Sequence, residues 1–118
     1  MPFIEVQSYA VGTSRGGDSP HYTRTLVLNA KNPSTAPVTV VYLYFFVPGT
    51  TFAETTIGNQ PGTFARAYVP IADFDVCYKL VQTERPVYFH WTMDGTRMRG
   101  YALGTNIEPP GEGTTDYS

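Results

Sequence analysis

Apolar and polar residues alternate along most of this chain, which is the pattern of half-buried β-strands separated by turns. One segment, Val38–Val47, is apolar on both of its faces, and this predicts a strand in the middle of a sheet that is covered on both sides. The pattern as a whole predicts about seven short strands. Seven are expected near residues 3–11, 22–31, 38–47, 63–69, 74–83, 87–93 and 97–103, and a weaker one near 51–57. Turn signals separate them, among them a glycine-rich loop at 12–20 and turns at 32–37 and 58–62.

The composition favours strands over helices. The chain has nine tyrosines and seven phenylalanines, with ten prolines and eleven glycines spread along it, so we expect little or no helix. Short strands at this spacing predict an all-β, single-domain antiparallel β-sandwich over residues 1–105, with a small β-barrel as the alternative. Residues 106–118 are acidic and contain proline and glycine, which predicts a flexible tail.

One stretch suggests a more particular architecture. Residues Leu26–Pro33, followed by Pro37–Val40, resemble the strand, turn and strand of many immunoglobulin-like sandwiches. The resemblance implies a broadly immunoglobulin-like arrangement of strands. It implies no function, because such sandwiches carry many unrelated activities.

Asp94 and Gly95 lie between two apolar-rich runs, which is the strongest short-range signal for a β-hairpin. A two-residue loop at these positions would pair Trp91 with Met98 and His90 with Arg99. The predicted core face of this hairpin then carries Phe89, Trp91, Met93, Met98 and Ala102. The opposite face carries Tyr88, His90, Thr92, Arg97, Arg99 and Tyr101.

The candidate ligand-binding residues belong to that second face, and they are Tyr88, His90, Arg97, Arg99 and Tyr101. Guanidinium groups clamp anions or carboxylates, and tyrosine rings stack on planar rings or sugars. Three interpretations stay open at this point. The face is an ordinary solvent-facing surface, an interface with another subunit or protein, or a site for a small anionic or sugar ligand.

No residue pattern predicts a catalytic site, a metal site or a cofactor. Neither His21 nor His90 stands at a metal-ligand spacing with Cys77, which disfavours zinc. Asp73 and Asp75 lack the loop spacing of a calcium motif and are expected to be solvated. The alternating apolar sequence around Cys77 favours a half-buried thiol over a nucleophile.

Charge and hydropathy limit the classes of partner. The net charge is −2 and only 15% of the residues are charged, which disfavours nucleic acid as a partner. No run approaches the roughly eighteen apolar residues that a membrane span requires. A single cysteine and the absence of a basic start followed by an apolar segment predict a cytoplasmic protein, with a secreted protein that has lost its leader as the alternative.

With so few charges, part of the surface is expected to be apolar or covered, and the scarcity of lysine leaves few charges to guard exposed sheet edges. Both features favour association of the chain with copies of itself. We therefore expect a non-enzymatic binding or assembly module that self-associates through an aromatic or apolar sheet face. A domain that binds a small ligand through the five candidate residues is the alternative. An enzyme of unknown class is the third hypothesis.

Overall fold

Seven strands close into a β-barrel in the computed structural model, which describes residues 2–13, 24–31, 38–49 and 56–105. The strand order around the barrel is β1-β2-β3-β5-β4-β7-β6, and β6 closes onto β1. The elements are β1 (Phe3–Thr13), β2 (Arg24–Ala30), β3 (Val40–Phe46), β4 (Gly58–Asn59), β5 (Phe64–Pro70), a 3₁₀ turn (Ile71–Asp73), helix α1 (Phe74–Thr83), β6 (Val87–Asp94) and β7 (Arg97–Thr105).

The closure of the sheet confirms the all-β class and fits the small β-barrel alternative. A sandwich needs two separate sheets, each with free edges. Here β1 pairs with β2 along one side and with β6 along the other, so a single sheet closes on itself. The sandwich and its immunoglobulin-like arrangement are therefore not confirmed.

One pair of neighbouring strands departs from the expected antiparallel arrangement. β3 and β5 run parallel. β4 lies between them in sequence but pairs on the far side of β5, so the connection from β3 to β5 is a crossover. β4 itself falls at Gly58 and Asn59, inside the segment where the glycines and proline predicted a turn. Its two residues are enough to connect β5 with β7.

The segment expected to be a strand over residues 74–83 is helix α1, so the prediction of a strand there was wrong. No glycine or proline lies between Pro70 and Pro86, so nothing in that stretch interrupts a helix. Phe74, Tyr78 and Val81 recur at the spacing of one helical face and pack against the barrel core. The apolar residues of this segment follow the helical period of 3.6 residues, but its branched and aromatic side chains favour a strand by propensity.

The β6–β7 hairpin has a different loop and register from those predicted. Asp94 pairs with Arg97, so the loop residues are Gly95 and Thr96, and only Gly95 has positive φ (67°). Further along, the register shifts because β7 contains one extra residue near Arg99. A shift by one residue moves every later side chain to the opposite face. Tyr101 therefore pairs with Trp91 on the inside, and Ala102, expected in the core, is exposed.

Alternating residues of all the longer strands fill the barrel interior. Trp91 is 1% exposed and its Nε1 donates a hydrogen bond of 3.0 Å to Gln60 Oε1. Phe89 and Met98 are also buried, as the hairpin pattern predicted, and Met93 packs against the core. The largest fully buried side chains are Trp91, Phe45, Phe89, Ile4, Leu26, Leu28, Leu43, Val38 and Val41.

Several predicted segments lie outside the described residues. They are most of the loop at 12–20, the turn at 32–37, most of the weak strand at 51–57 and the tail at 106–118. Thr56 and Ile57 are described and do not belong to a strand.

Gly58 allows β4 to approach β5 and β7 closely, and this generates the first prediction. A Cβ at this position would lie 3.0 Å from Met98 Sδ and 3.1 Å from Ala67 Cα, with the Arg66 carbonyl oxygen nearer still. We expect Gly58→Ala to lower the free energy of unfolding by about 1–3 kcal/mol through overpacking. Urea unfolding measures the loss, and Gly62→Ala, where a Cβ meets no atom within 4 Å, is the control and should change stability by less than about 0.5 kcal/mol.

Candidate functional site

The outer surface of β3 and β5 carries a row of aromatic side chains. The two parallel strands are in register, so Tyr42 lies opposite Arg66 and Tyr44 lies opposite Tyr68. The ring centroids of Tyr44 and Tyr68 are 5.7 Å apart, and those of Tyr42 and Phe64 are 5.8 Å apart. Tyr42 and Tyr44 are nearly parallel, with 4° between their planes. We call Tyr42, Tyr44, Phe64, Arg66 and Tyr68 the aromatic face.

The aromatic face corrects the prediction that β3 is covered on both sides. Its inward residues Val41, Leu43 and Phe45 are no more than 1% exposed, whereas Tyr42 and Tyr44 are only half-buried. The barrel wall is a single layer of sheet, so one side of β3 faces the core and the other faces outward. Side chains of the apolar run are thus presented on the surface of the chain.

Arg66 is the charged member of the aromatic face. Its guanidinium carbon lies 5.2 Å from the centroid of the Phe64 ring, which is a cation–π distance. Among the outward residues that the structure describes on β2, β3 and β5, no carboxylate is present. Those residues are Thr25, Val27, Asn29, Val40, Tyr42, Tyr44, Phe46, Phe64, Arg66, Tyr68 and Pro70.

Two buried polar atoms at the border of the aromatic face have no hydrogen-bond partner within the described part of the chain. They are Nε of Arg66 and Oδ1 of Asn59, and the two residues are directly opposed across β4 and β5. A buried donor or acceptor without a partner costs about 1–3 kcal/mol. The described residues therefore do not satisfy all of the polar groups at this border.

The five ligand-binding candidates do not share one face. Tyr88 and His90 project outward from β6, where Phe3 of β1 joins them. The ring of Phe3 is 6.1 Å from that of Tyr88 and 5.6 Å from that of His90. Tyr101 belongs to the inside of the barrel, since the extra residue in β7 reverses its side.

Arg97 and Arg99 line a separate surface cleft of about 220 Å³ near the hairpin loop. Both arginines are exposed, and the structure places Asp94 of the same hairpin in the cleft wall as well. Thr56, Ile57, Gly58 and Met98 complete the lining. The cleft thus combines two guanidinium groups with one carboxylate.

Tyr101 lies inside the barrel, on the side that helix α1 covers, and its contacts there are structural. Its hydroxyl donates a hydrogen bond of 3.0 Å to the backbone oxygen of Tyr68, and its ring stacks on Phe89 at 5.7 Å. Burial raises the pKa of Tyr101 to about 12, with smaller contributions from the charges of Cys77 and Asp73. The phenol is neutral at physiological pH and holds two strands together.

Cys77 lies on α1 and is half-buried, and its thiol faces the same region as Tyr101. Burial raises the pKa of the Cys77 thiol to about 11, with a smaller contribution from the negative charge of Asp73. Since the thiolate is the nucleophile, this environment opposes thiol reactivity. The helix supplies the half-burial that the sequence predicted for a strand.

Among residues 2–13, 24–31, 38–49 and 56–105, no group of three His, Cys, Asp or Glu side chains could hold a metal ion. In the same part of the chain, no helix is long and apolar enough to span a membrane. Comparison with protein-family models, with curated proteins and with solved structures finds no match to this chain.

The aromatic face is the surface that the sequence-based prediction of candidate residues missed. A usable signal was present, because Tyr42 and Tyr44 are two residues apart, as are Phe64, Arg66 and Tyr68. Residues at this spacing share one face of a strand. The sequence could not indicate that β3 and β5 are neighbours, because their pairing is parallel and non-local.

The raised pKa of Cys77 predicts a pH-dependent loss of stability. Its pKa rises from 9.0 to about 11 on folding, so in this window the unfolded chain ionises while the folded chain keeps its proton. The free energy of unfolding should fall as the pH rises through the window, and Cys77→Ala should show a smaller fall. Urea midpoints at about pH 8 and about pH 10.5 test this. An equally steep fall in the variant would contradict the assignment.

Proposed function

We propose that this protein is a non-catalytic assembly module whose copies associate through the aromatic face. The observation that carries the proposal is a surface of four half-buried aromatic rings and one guanidinium, without a carboxylate among the neighbouring described residues. The cores of protein interfaces are rich in tyrosine, phenylalanine and arginine and poor in lysine, aspartate and glutamate. Residues of these enriched types also supply most of the binding energy at interfaces.

The relief of this surface favours a second copy as the partner. The aromatic rings of β3 and β5 form a ridge, and the neighbouring β2 presents the smaller side chains Thr25 and Val27 beside Tyr44 and Tyr42. In a two-fold contact the same patch serves both subunits, so the aromatic ridge of one copy packs against the smaller β2 side chains of the other. A patch that holds both elements is complementary to itself.

The unpartnered polar atoms support the same conclusion. Arg66 Nε and Asn59 Oδ1 lie at the edge of the ridge, where a second copy would bring further donors and acceptors. Both atoms are buried within a single copy, so hydrogen bonds with a second copy require the two side chains to move on association. Association would then recover part of the free energy that is lost at this border.

A carboxylate placed in the aromatic face should weaken association through that face. Tyr42→Glu removes a central ring and places in the contact surface a carboxylate that must lose its hydration on association. We expect the dissociation constant to rise by about thirtyfold or more, which corresponds to the loss of about 2 kcal/mol at a central interface residue. Sedimentation velocity over a concentration series measures the change.

Thr92→Glu is the control for the added charge, since Thr92 is exposed on the outer face of β6, on the other side of the barrel, and lies opposite Gly100. It should leave the dissociation constant within about threefold of the original value. Circular dichroism confirms that both variants are folded. A wild-type chain that stays monomeric at high micromolar concentration, or equal weakening by the two variants, would overturn the proposal.

The arginine cleft favours a second candidate function, which is the binding of a small anion. Arg97 and Arg99 line one cleft, and two guanidinium groups bind a carboxylate or phosphate through charge-assisted hydrogen bonds. This version keeps the arginines of the original candidate set and leaves Tyr101 out.

Tyr88 and His90, with Phe3, form a separate aromatic cluster on which a sugar ring could stack. The cytoplasmic location is a prediction that goes with either function.

Titration with inorganic phosphate, followed by NMR chemical shifts of the Arg97 and Arg99 amides, tests the second candidate. Arg99→Ala should weaken binding by about tenfold or more, because a charged hydrogen-bonding group is worth about 1.5–3 kcal/mol. Arg85→Ala, an exposed arginine outside the cleft, should leave binding unchanged. Equal loss in both variants would indicate attraction by net charge alone.

A further inference from the structure

Strand β1 extends beyond its second partner. It pairs with β6 only from Phe3 to Glu5, whereas it pairs with β2 from Val6 to Thr13. Among the described residues, the stretch Gln7–Thr13 therefore has a strand on one side only. Its other edge presents backbone N–H and C=O groups that a further strand can bond.

The open edge is accessible. Beside its lower part, β1 and the segment around Glu84 and Arg85 are separated by a cleft of about 200 Å³. Val6, Gln7, Ser8 and Tyr9 form one side of the cleft. Further along the strand, Ala10, Gly12 and Thr13 are exposed, and Val11 is 43% exposed. No described strand lies against this stretch of β1.

The sequence of the edge indicates what covers it. Gln7–Thr13 contains no charged residue and no proline, whereas exposed edge strands in natural proteins are usually guarded by lysine, proline or other charges. An unguarded edge that persists in a folded protein is normally paired. A strand that adds to an edge gains backbone hydrogen bonds, and its alternate side chains pack on the existing sheet.

A second copy of β1 fits this edge without any change of chemistry. An uncharged edge has no charge by which to select a foreign peptide, and the same seven residues on another copy meet it with no like-charge contact. If a two-fold axis passes beside Ala10, Tyr9 of each copy lies opposite Val11 of the other. Aromatic and branched side chains in such cross-strand pairs stabilise a sheet by about 0.2–1 kcal/mol each.

We propose that two copies of this chain pair their β1 edges antiparallel about a two-fold axis at Ala10. The contact continues the barrel wall from one copy into the other. It uses a surface separate from the aromatic face and does not rest on that interface. A chain with both contacts has two distinct binding surfaces for itself, so its copies join into assemblies larger than a dimer.

A disulfide tests the register directly. In antiparallel strands, opposed Cα atoms are about 4.5–5.5 Å apart, which is within the range that a disulfide bridges. Ala10→Cys, in a Cys77→Ala background, should form a covalent dimer under mild oxidation. Thr92→Cys in the same background is the control, because Thr92 is exposed on the outer face of β6. If the Ala10→Cys chain cross-links no faster than the Thr92→Cys chain, the proposal is overturned.

A charge introduced on the β1 edge provides a second test of the proposal. Val11→Lys should weaken edge pairing at least tenfold in sedimentation, while Val76→Lys, at a valine that is 63% exposed on α1, should not. Equal behaviour of these two variants would also overturn the proposal.

Adding Tyr42→Glu to the Ala10→Cys chain separates the two interfaces, because the covalent dimer should still form when the aromatic face is disrupted. Loss of that dimer would show that edge pairing depends on the face and would contradict two separate contacts.

Discussion

The closure of the sheet between β1 and β6 is the constraint on which the rest of the structure depends. Three residue pairs, from Phe3–His90 to Glu5–Tyr88, join the two ends of the sheet. Once the sheet is closed, alternate side chains of each strand point into one shared interior, and Ile4, Phe89 and Trp91 become almost completely buried. Helix α1 adds Phe74 and Val81 to the same core. The hydrophobic core and the outward surfaces follow from this seam.

The same closure produces the two surfaces to which we assign assembly. A single-layered wall has no second sheet behind it, so the outward residues of the apolar strand β3 form a half-exposed aromatic surface. Because the seam is short, β1 runs on past β6, and from Gln7 to Thr13 no other described strand pairs with its second edge. In the proposed assembly, one surface would be recognised through side chains and the other through backbone groups. The interior, where Tyr101 and Cys77 are kept neutral by burial, serves stability.

Local patterns predicted much of the secondary structure and little of the topology. Alternation located most strands, and the hairpin near Gly95 was expected within one residue, because these signals lie within a few neighbouring positions. The extra residue near Arg99 has no local signature, yet it moved Tyr101 from the predicted site to the interior. The helical spacing of Phe74, Tyr78 and Val81 was readable, and strand propensity outweighed it. The parallel pairing of β3 with β5, which assembles the aromatic face, depends on non-local closure and could not be derived from sequence.

Proton–proton contacts across the seam test the closed barrel most directly. The hydrogen bond of 3.1 Å from Trp91 N–H to the Pro2 carbonyl oxygen makes Phe3 and His90 a pair without mutual hydrogen bonds, in which the two Cα protons face each other. NMR should show strong Hα–Hα nuclear Overhauser effects between Phe3 and His90 and between Glu5 and Tyr88. Their absence, while contacts between β6 and β7 are present, would mean that the sheet is open and would contradict this account.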